Sequence, residues 1–181
     1  MKNIFNYLTS SIIILLLSAS YAQSDYPNTS IGVIDLNLIL SESKAAKNAA
    51  EQIEQIALRI EDEIKKSDEE MLNKQNELIE AQSIMAPEAF EVKRQEYEKD
   101  LQNYNQKRQE KLMTIDKMLQ VSRDELLDAL KPILEEISNE KGITILLEKN
   151  IILLNAEKMD ITDAALKQLD KSLPKLKVSE Q

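Results

Sequence analysis

The sequence predicts a mostly α, α+β fold: a long antiparallel helical hairpin, coiled-coil-like, projecting from a small β-rich oligomerisation body. Three observations carry that prediction. Residues 44–85 contain neither Gly nor Pro and consist mainly of strong helix formers. Pro87 then interrupts the pattern, and a second helical stretch of matching length follows. Ile-rich segments stand at both ends of this hairpin, at 31–40 and 143–154.

The chain begins with a segment of a different kind. Lys2 precedes an apolar run centred on residues 12–17, and Ser20-Tyr21-Ala22 places small residues at the two positions a signal peptidase reads. This pattern predicts a secretory signal peptide, residues 1–22, cleaved after Ala22. The uninterrupted run is too short to span a bilayer comfortably. Residues 23–30 are polar and read as a flexible lead-in within a unit that closes at residue 43. Ile31, Val33 and Ile34 predict a short buried strand. Leu36, Leu38, Ile39 and Leu40 either extend it or begin a helix. Ser41-Glu42-Ser43 then offers capping side chains to the Ala-rich sequence behind it.

The arm spans residues 44–131. Alternate steps of four and three from Ile53 give Ala57, Ile60, Ile64, Ser67, Met71, Lys74, Leu78, Ala81 and Met85, an apolar seam with two polar breaks. Pro87 suits the first turn of a helix and Glu88 its positive end, so a tight reversal is expected at 84–87. The returning stripe includes Phe90, Tyr97, Leu101, Tyr104, Leu112, Ile115, Leu119, Leu126, Leu130, Ile133 and Ile137. Several of its steps are eleven residues, which opposes the left-handed supercoil of a heptad and predicts a nearly straight hairpin. Pro132 is expected to kink this helix near Lys131. Each arm helix then reaches between about 60 and 70 Å.

Residues 132–173 complete the body, with 174–181 as a loose tail. Gly142 suits a left-handed helix cap. The apolar runs at 143–147 and 151–154 flank Glu148-Lys149-Asn150 and predict a β-hairpin. Neither run alternates cleanly, so both faces look buried. Thr162 is expected to cap a short final helix, with Ile161 and Leu166 at staple spacing. A body of this size buries little core alone. Strands apolar on both faces therefore predict association of identical chains through Ile31, Val33, Ile143, Ile145, Leu147, Ile151 and Leu153. The number of copies does not follow from this argument. The alternative is a monomer whose terminal helix covers the sheet.

Composition removes most chemistry. The chain has no Cys and no His, which excludes thiolate and imidazole catalysis and Cys/His metal sites. Its two Gly form no phosphate-binding loop. Scarce aromatics and a net charge of -9 argue against a nucleic-acid partner. Acidic runs at 61–63 and 68–70 read as solvated helix faces, because consecutive helical residues point in different directions. No enzyme activity, cofactor or metal is expected.

The order of these parts resembles a known family. IGVIDLNLILSESKAAKNAAEQIE, a long helical hairpin, Pro132-Ile133, and then KGITILLEKNIILLNAEKMDITDAALKQLD are similar to the Skp (OmpH-type) periplasmic chaperones. The first strand and the C-terminal part are the specific matches. The resemblance implies a homotrimer in the periplasm, with pooled strands at its centre and three arms around a cavity. It implies an ATP-independent holdase that binds unfolded outer-membrane β-barrel proteins. The best-known members are strongly basic, whereas residues 44–141 here carry 16 basic and 23 acidic residues. The acidic arms therefore argue against lipopolysaccharide or peripheral-membrane contact. The basic band is confined to residues 107–123.

Within that reading the client-binding candidates are Leu78, Ile79, Ile84, Met85, Phe90, Val92, Tyr97 and Tyr104. Leu78 and Met85 are seam positions whose bland role is packing between the helices. Ile79, Ile84 and Val92 lie off the seam. The rival class is a periplasmic coiled-coil scaffold or adaptor whose arms dock on a folded partner.

Overall fold

The computed structural model describes residues 29–180. The expected signal peptide lies outside the described residues. Ile31–Ile34 forms β1, and Asp35 ends it. The Asp35 carboxylate accepts from Leu38 N at 2.9 Å and caps helix α1, Leu36–Glu42. The apolar residues after Asp35 thus begin a helix. Ser43 ends α1 with extended backbone and, in the same stroke, caps helix α2, Lys44–Ile84, by accepting from Ala46 N at 3.2 Å. Such a cap satisfies an orphan amide of the first turn, and here it does so fully buried. Met85 and Ala86 make the reversal, and α3, Pro87–Lys141, starts with Pro87 in its first turn as the sequence predicts.

The two long helices pack antiparallel. Ion pairs join Lys93 to Glu77 at 3.6 Å, Lys111 to Glu63 at 2.7 Å, and Lys74 to Asp100. The partners of each pair lie nearly equidistant from the reversal. Exposed pairs of this kind report register more than stability. On α2 the predicted seam is the least exposed stripe, although Lys74 and Met85 are exposed. On α3 the stripe differs from the one expected. Leu112 and Leu119 face solvent, whereas Met118 and Ser122 are buried. From Ile115 the buried path steps through 118, 122 and 126, so the outer heptad pair 112 and 119 drifts off the contact.

Helix α3 carries Pro132 inside it and continues to Lys141. Proline removes one backbone hydrogen bond, but buried Leu130, Ile133 and Ile137 bind the helix to the core on both sides of it. Gly142, at φ 66° and ψ 28°, ends α3 in the left-handed conformation that glycine adopts freely.

Ile145–Glu148 then forms β2, parallel to β1, with Ile31 opposite Ile145 and Ile34 opposite Glu148. Parallel neighbours need a crossover connection, and the whole arm serves as that crossover. On its other edge β1 meets residues 160–161: Ile161 N donates to Val33 O at 2.9 Å, and Val33 bridges Asp160. The first strand is therefore central, which explains why Val33 is fully buried. Gly32 is required for close approach, because a Cβ there would meet Ile143 Cδ1 at 2.8 Å and Leu146 Cδ1 at 3.1 Å.

The expected hairpin over 143–154 does not form in this chain. After β2 a 3₁₀ turn covers Lys149–Ile151, and residues 152–156 carry no strand pairing. The physical reason is local. A three-residue hairpin loop such as Glu148-Lys149-Asn150 ordinarily ends in a left-handed residue, and among the described residues only Gly142 has positive φ. Lys149 Nζ instead reaches Asp160 at 2.8 Å and ties the turn back across the body.

Helix α4, Thr162–Ser172, closes the core against α1 and α3. Thr162 is its first residue and not its cap. The Thr162 hydroxyl accepts from Asp35 N at 2.9 Å, while the Asp160 carboxylate accepts from Thr162 N at 2.9 Å. The tail after α4 is seated, not loose: Leu176 is only 5% exposed and Val178 packs beside it.

The central core gathers Ile34, Ile39, Leu126, Leu130, Ile133, Ile161 and Leu169. Leu130→Ala is expected to cost about 2–5 kcal/mol in urea unfolding, the range for a fully buried leucine. Leu119→Ala, on the exposed side of the same helix, is expected to change stability by less than about 0.5 kcal/mol.

Candidate functional site

Two surfaces have the chemistry of recognition. The first is the outer edge of the body. In the two-stranded sheet β2 has β1 on one side, and among the described residues no strand pairs with its other edge. Immediately after it come Ile151, Leu153 and Leu154, all exposed, with Leu153 at 104% and Leu154 at 88%. The backbone is extended at Ile152 (φ −111°, ψ 126°) and again at Ala156 (φ −75°, ψ 140°). An exposed apolar segment thus follows a strand that is paired on one side only. Natural proteins cover or charge such features, because both invite pairing with another chain.

The residues expected at this surface divide into two groups. Ile145, Ile151 and Leu153 are exposed, Ile31 is marginally so, and Leu147 is half-buried. Val33 and Ile143 belong elsewhere. Val33 is buried at the centre of the sheet, and Ile143 packs over Gly32 against the core. Leu154 was not among the residues expected there, although it is exposed. Helix α4 lies on α1 and α3, and Ile151, Leu153 and Leu154 stay exposed.

Lys149 and Asp160 brace this edge. Partial burial pushes the Asp160 carboxyl up, but hydrogen bonds from Lys149 Nζ and from the Thr162 hydroxyl and amide outweigh it, and the group is held below the usual carboxylate range. The same pair raises Lys149 above the usual lysine value.

The second surface is the arm. Of the eight client-binding candidates, Ile79, Ile84 and Val92 are exposed, with Ile84 the most at 82%. Met85 is exposed at the reversal itself. Leu78, Phe90, Tyr97 and Tyr104 are half-buried between the helices. The Tyr104 hydroxyl donates to the Asp68 carboxylate across the seam, and that bond holds the phenol above its usual value. Where Ser67 and Lys74 interrupt the seam, a cleft of about 250 Å³ opens between the helices, lined by Ile64, Met71, Asn103, Tyr104, Lys107 and Lys111 among others. Leu58, Leu72, Leu112, Met113, Leu119 and Val121 add exposed apolar side chains that sequence reasoning missed or placed in the seam. Of these, Leu112 and Leu119 betray themselves only when Met118 and Ser122 are recognised as the inner positions.

No group of three or more acidic side chains among the described residues has the geometry to hold a metal ion. No described helix is long and apolar enough to cross a membrane.

The Lys149–Asp160 brace gives a pH test. Because the Asp160 pKa is depressed in the fold, its contribution is complete above the unfolded carboxylate pKa and is lost as pH falls through the folded one. Urea midpoints of the wild type are therefore expected to decline more steeply below about pH 4 than those of Asp160→Asn, which starts less stable at neutral pH.

Comparison with known proteins places this architecture. The family described as outer membrane protein (OmpH-like) matches residues 30–169, which include every element from β1 to most of α4. A Skp-like protein from Chlamydia muridarum is 24% identical over 168 residues, covering 92% of this chain and 96% of that protein. A crystal structure from Caulobacter crescentus CB15, described as a candidate outer membrane chaperone (OmpH-like), superposes with a TM-score of 0.76. It covers 89% of this chain and 96% of the other at 16% identity, a level at which the likeness shows the fold.

Proposed function

The chain belongs to the OmpH-like family, and from that premise we propose that it is an ATP-independent periplasmic holdase for unfolded outer-membrane β-barrel proteins. The observation that carries the reading is the set of exposed apolar side chains along the distal arm, Ile79, Ile84 and Val92. An unfolded barrel protein offers alternating apolar strands that aggregate in water. Many weak contacts from several arms give avidity with no single strong site. Binding the unfolded chain competes with aggregation by mass action and needs no fuel.

Several arms need a common base, and the body supplies one. The open β2 edge and the apolar segment at 151–154 fit association of identical chains, with the edge paired and the segment covered by a neighbour. Three copies is the number the family resemblance implies. The signal peptide read from residues 1–22 fits delivery to the periplasm, where barrel proteins pass unfolded. Catalysis plays no part in this reading, because capture alone delays aggregation.

Light scattering of a denatured barrel protein diluted into buffer tests the holdase reading. Equimolar assembled chain is expected to suppress the scattering; unchanged scattering would sink the proposal. Replacing Ile79, Ile84 and Val92 together with Ser is expected to weaken suppression at least tenfold while leaving circular dichroism and assembled mass unchanged. Leu153→Asp is expected to convert the assembly to single chains in sedimentation velocity, since it places a charge in the segment the neighbour covers. An intact assembly in that variant contradicts the hub.

A further inference from the structure

The C-terminal tail makes an unexpected set of contacts. It leaves the body at the end of α4 and runs onto the root of α2. Two attachments of the tail follow a contact made by the last turn of α4 itself. The Asp170 carboxylate accepts from Lys44 N at 2.7 Å, at the first residue of α2. The Gln52 amide grips the tail twice: its Nε2 donates to Leu176 O at 2.7 Å, and its Oε1 accepts from Val178 N at 3.2 Å. Arg59 pairs with Glu180. Gln52 and Arg59 are seven residues apart, about two helical turns, so they lie on one stripe of α2. Between these polar ties, Leu176 is buried in the central core cluster and Val178 packs against it.

We propose that residues 173–180 form a strap that fixes the root of the arm to the body, with Gln52 as the positioning residue that holds it. The side-chain amide of Gln52 engages backbone N–H and C=O, so the grip depends on the course of the tail and not on its side chains. A charged pair alone at an exposed site contributes little. An apolar anchor with a two-point amide clasp confines the strap far better, because breaking it leaves two part-buried backbone groups without their partner. The strap extends the rigid body up α2 as far as Arg59. Bending of the arm then begins beyond it, where Ser67 and Lys74 interrupt the seam and the cleft opens. In the holdase reading, which this inference deepens, the strap sets the common direction from which the arms leave the base.

The absence of Cys makes the test clean. Cysteines introduced at Lys65, on the exposed arm surface, and at Lys167, on the exposed face of α4, carry a spin-label pair. Labelled chains are diluted with unlabelled ones so that only distances within a chain are read. The intact strap is expected to give one narrow distance distribution. Removal of residues 174–181 is expected to broaden it at least twofold, and Gln52→Ala to broaden it partway, with faster amide exchange at 48–60 and unchanged exchange at 31–39. Gln52→Glu keeps an acceptor for Val178 N but cannot donate to Leu176 O, and is expected to fall between wild type and Gln52→Ala. A distribution that stays narrow after tail removal overturns the strap. Global loss of protection, at 31–39 as well as 48–60, in both the tail deletion and Gln52→Ala also overturns it, because the tail then acts as core and not as a strap. Neither readout depends on chaperone activity, so failure of the strap and failure of the holdase reading are distinguishable.

Discussion

Pairing between the two ends of the described chain governs this structure. β1 sits between β2 and residues 160–161, and it reaches both only after the chain has travelled out and back along the arm. Parallel pairing leaves no option of a short turn, so a long crossover is obligatory. Here the crossover is the arm. The same contact that completes the small sheet therefore sets where both arm helices begin and end. Ser43 and Gly142 mark those two points, one as a buried cap and the other as a left-handed stop.

This arrangement separates rigid and adaptable parts. The body concentrates the fully buried aliphatic residues, with Ile39, Leu130 and Leu169 among the least exposed. Along the arm the packing thins. Beyond Ile60 the seam of α2 is mostly half-buried, and Ser67 and Lys74 interrupt it. Long helices with few buried contacts open locally at low cost. An arm of that kind suits contact with chains that have no fixed shape, whereas the base suits holding several arms together.

The architecture was legible in the sequence because helix propensity, Pro87 and Gly142 punctuate it clearly. The reversal at Pro87 and the cap at Gly142 follow from local sterics alone. What was not legible depended on tertiary context. That helix α3 continues past Pro132 depends on core packing on both sides, which offsets one lost hydrogen bond. Residues 151–154 look like a strand by composition, but among the described residues they pair with no strand. Val33 and Ile143 were assigned to the interface because apolar character does not reveal which face a residue takes; their burial depends on β1 being central. On the arm, Ile79, Ile84 and Val92 were placed outside the seam by spacing alone, and they are exposed. Leu112 and Leu119 were misplaced where the α3 path changes its step from Ile115 onward.

The account centres on one claim: the open β2 edge and the apolar segment at 151–154 are covered by a second copy of the chain. Amide hydrogen exchange of residues 145–155 across a dilution series tests this most directly. The account predicts slow exchange at high protein concentration that becomes fast as the assembly is diluted to single chains, while the amides of β1 remain protected throughout. Fast exchange at 151–155 at every concentration contradicts it.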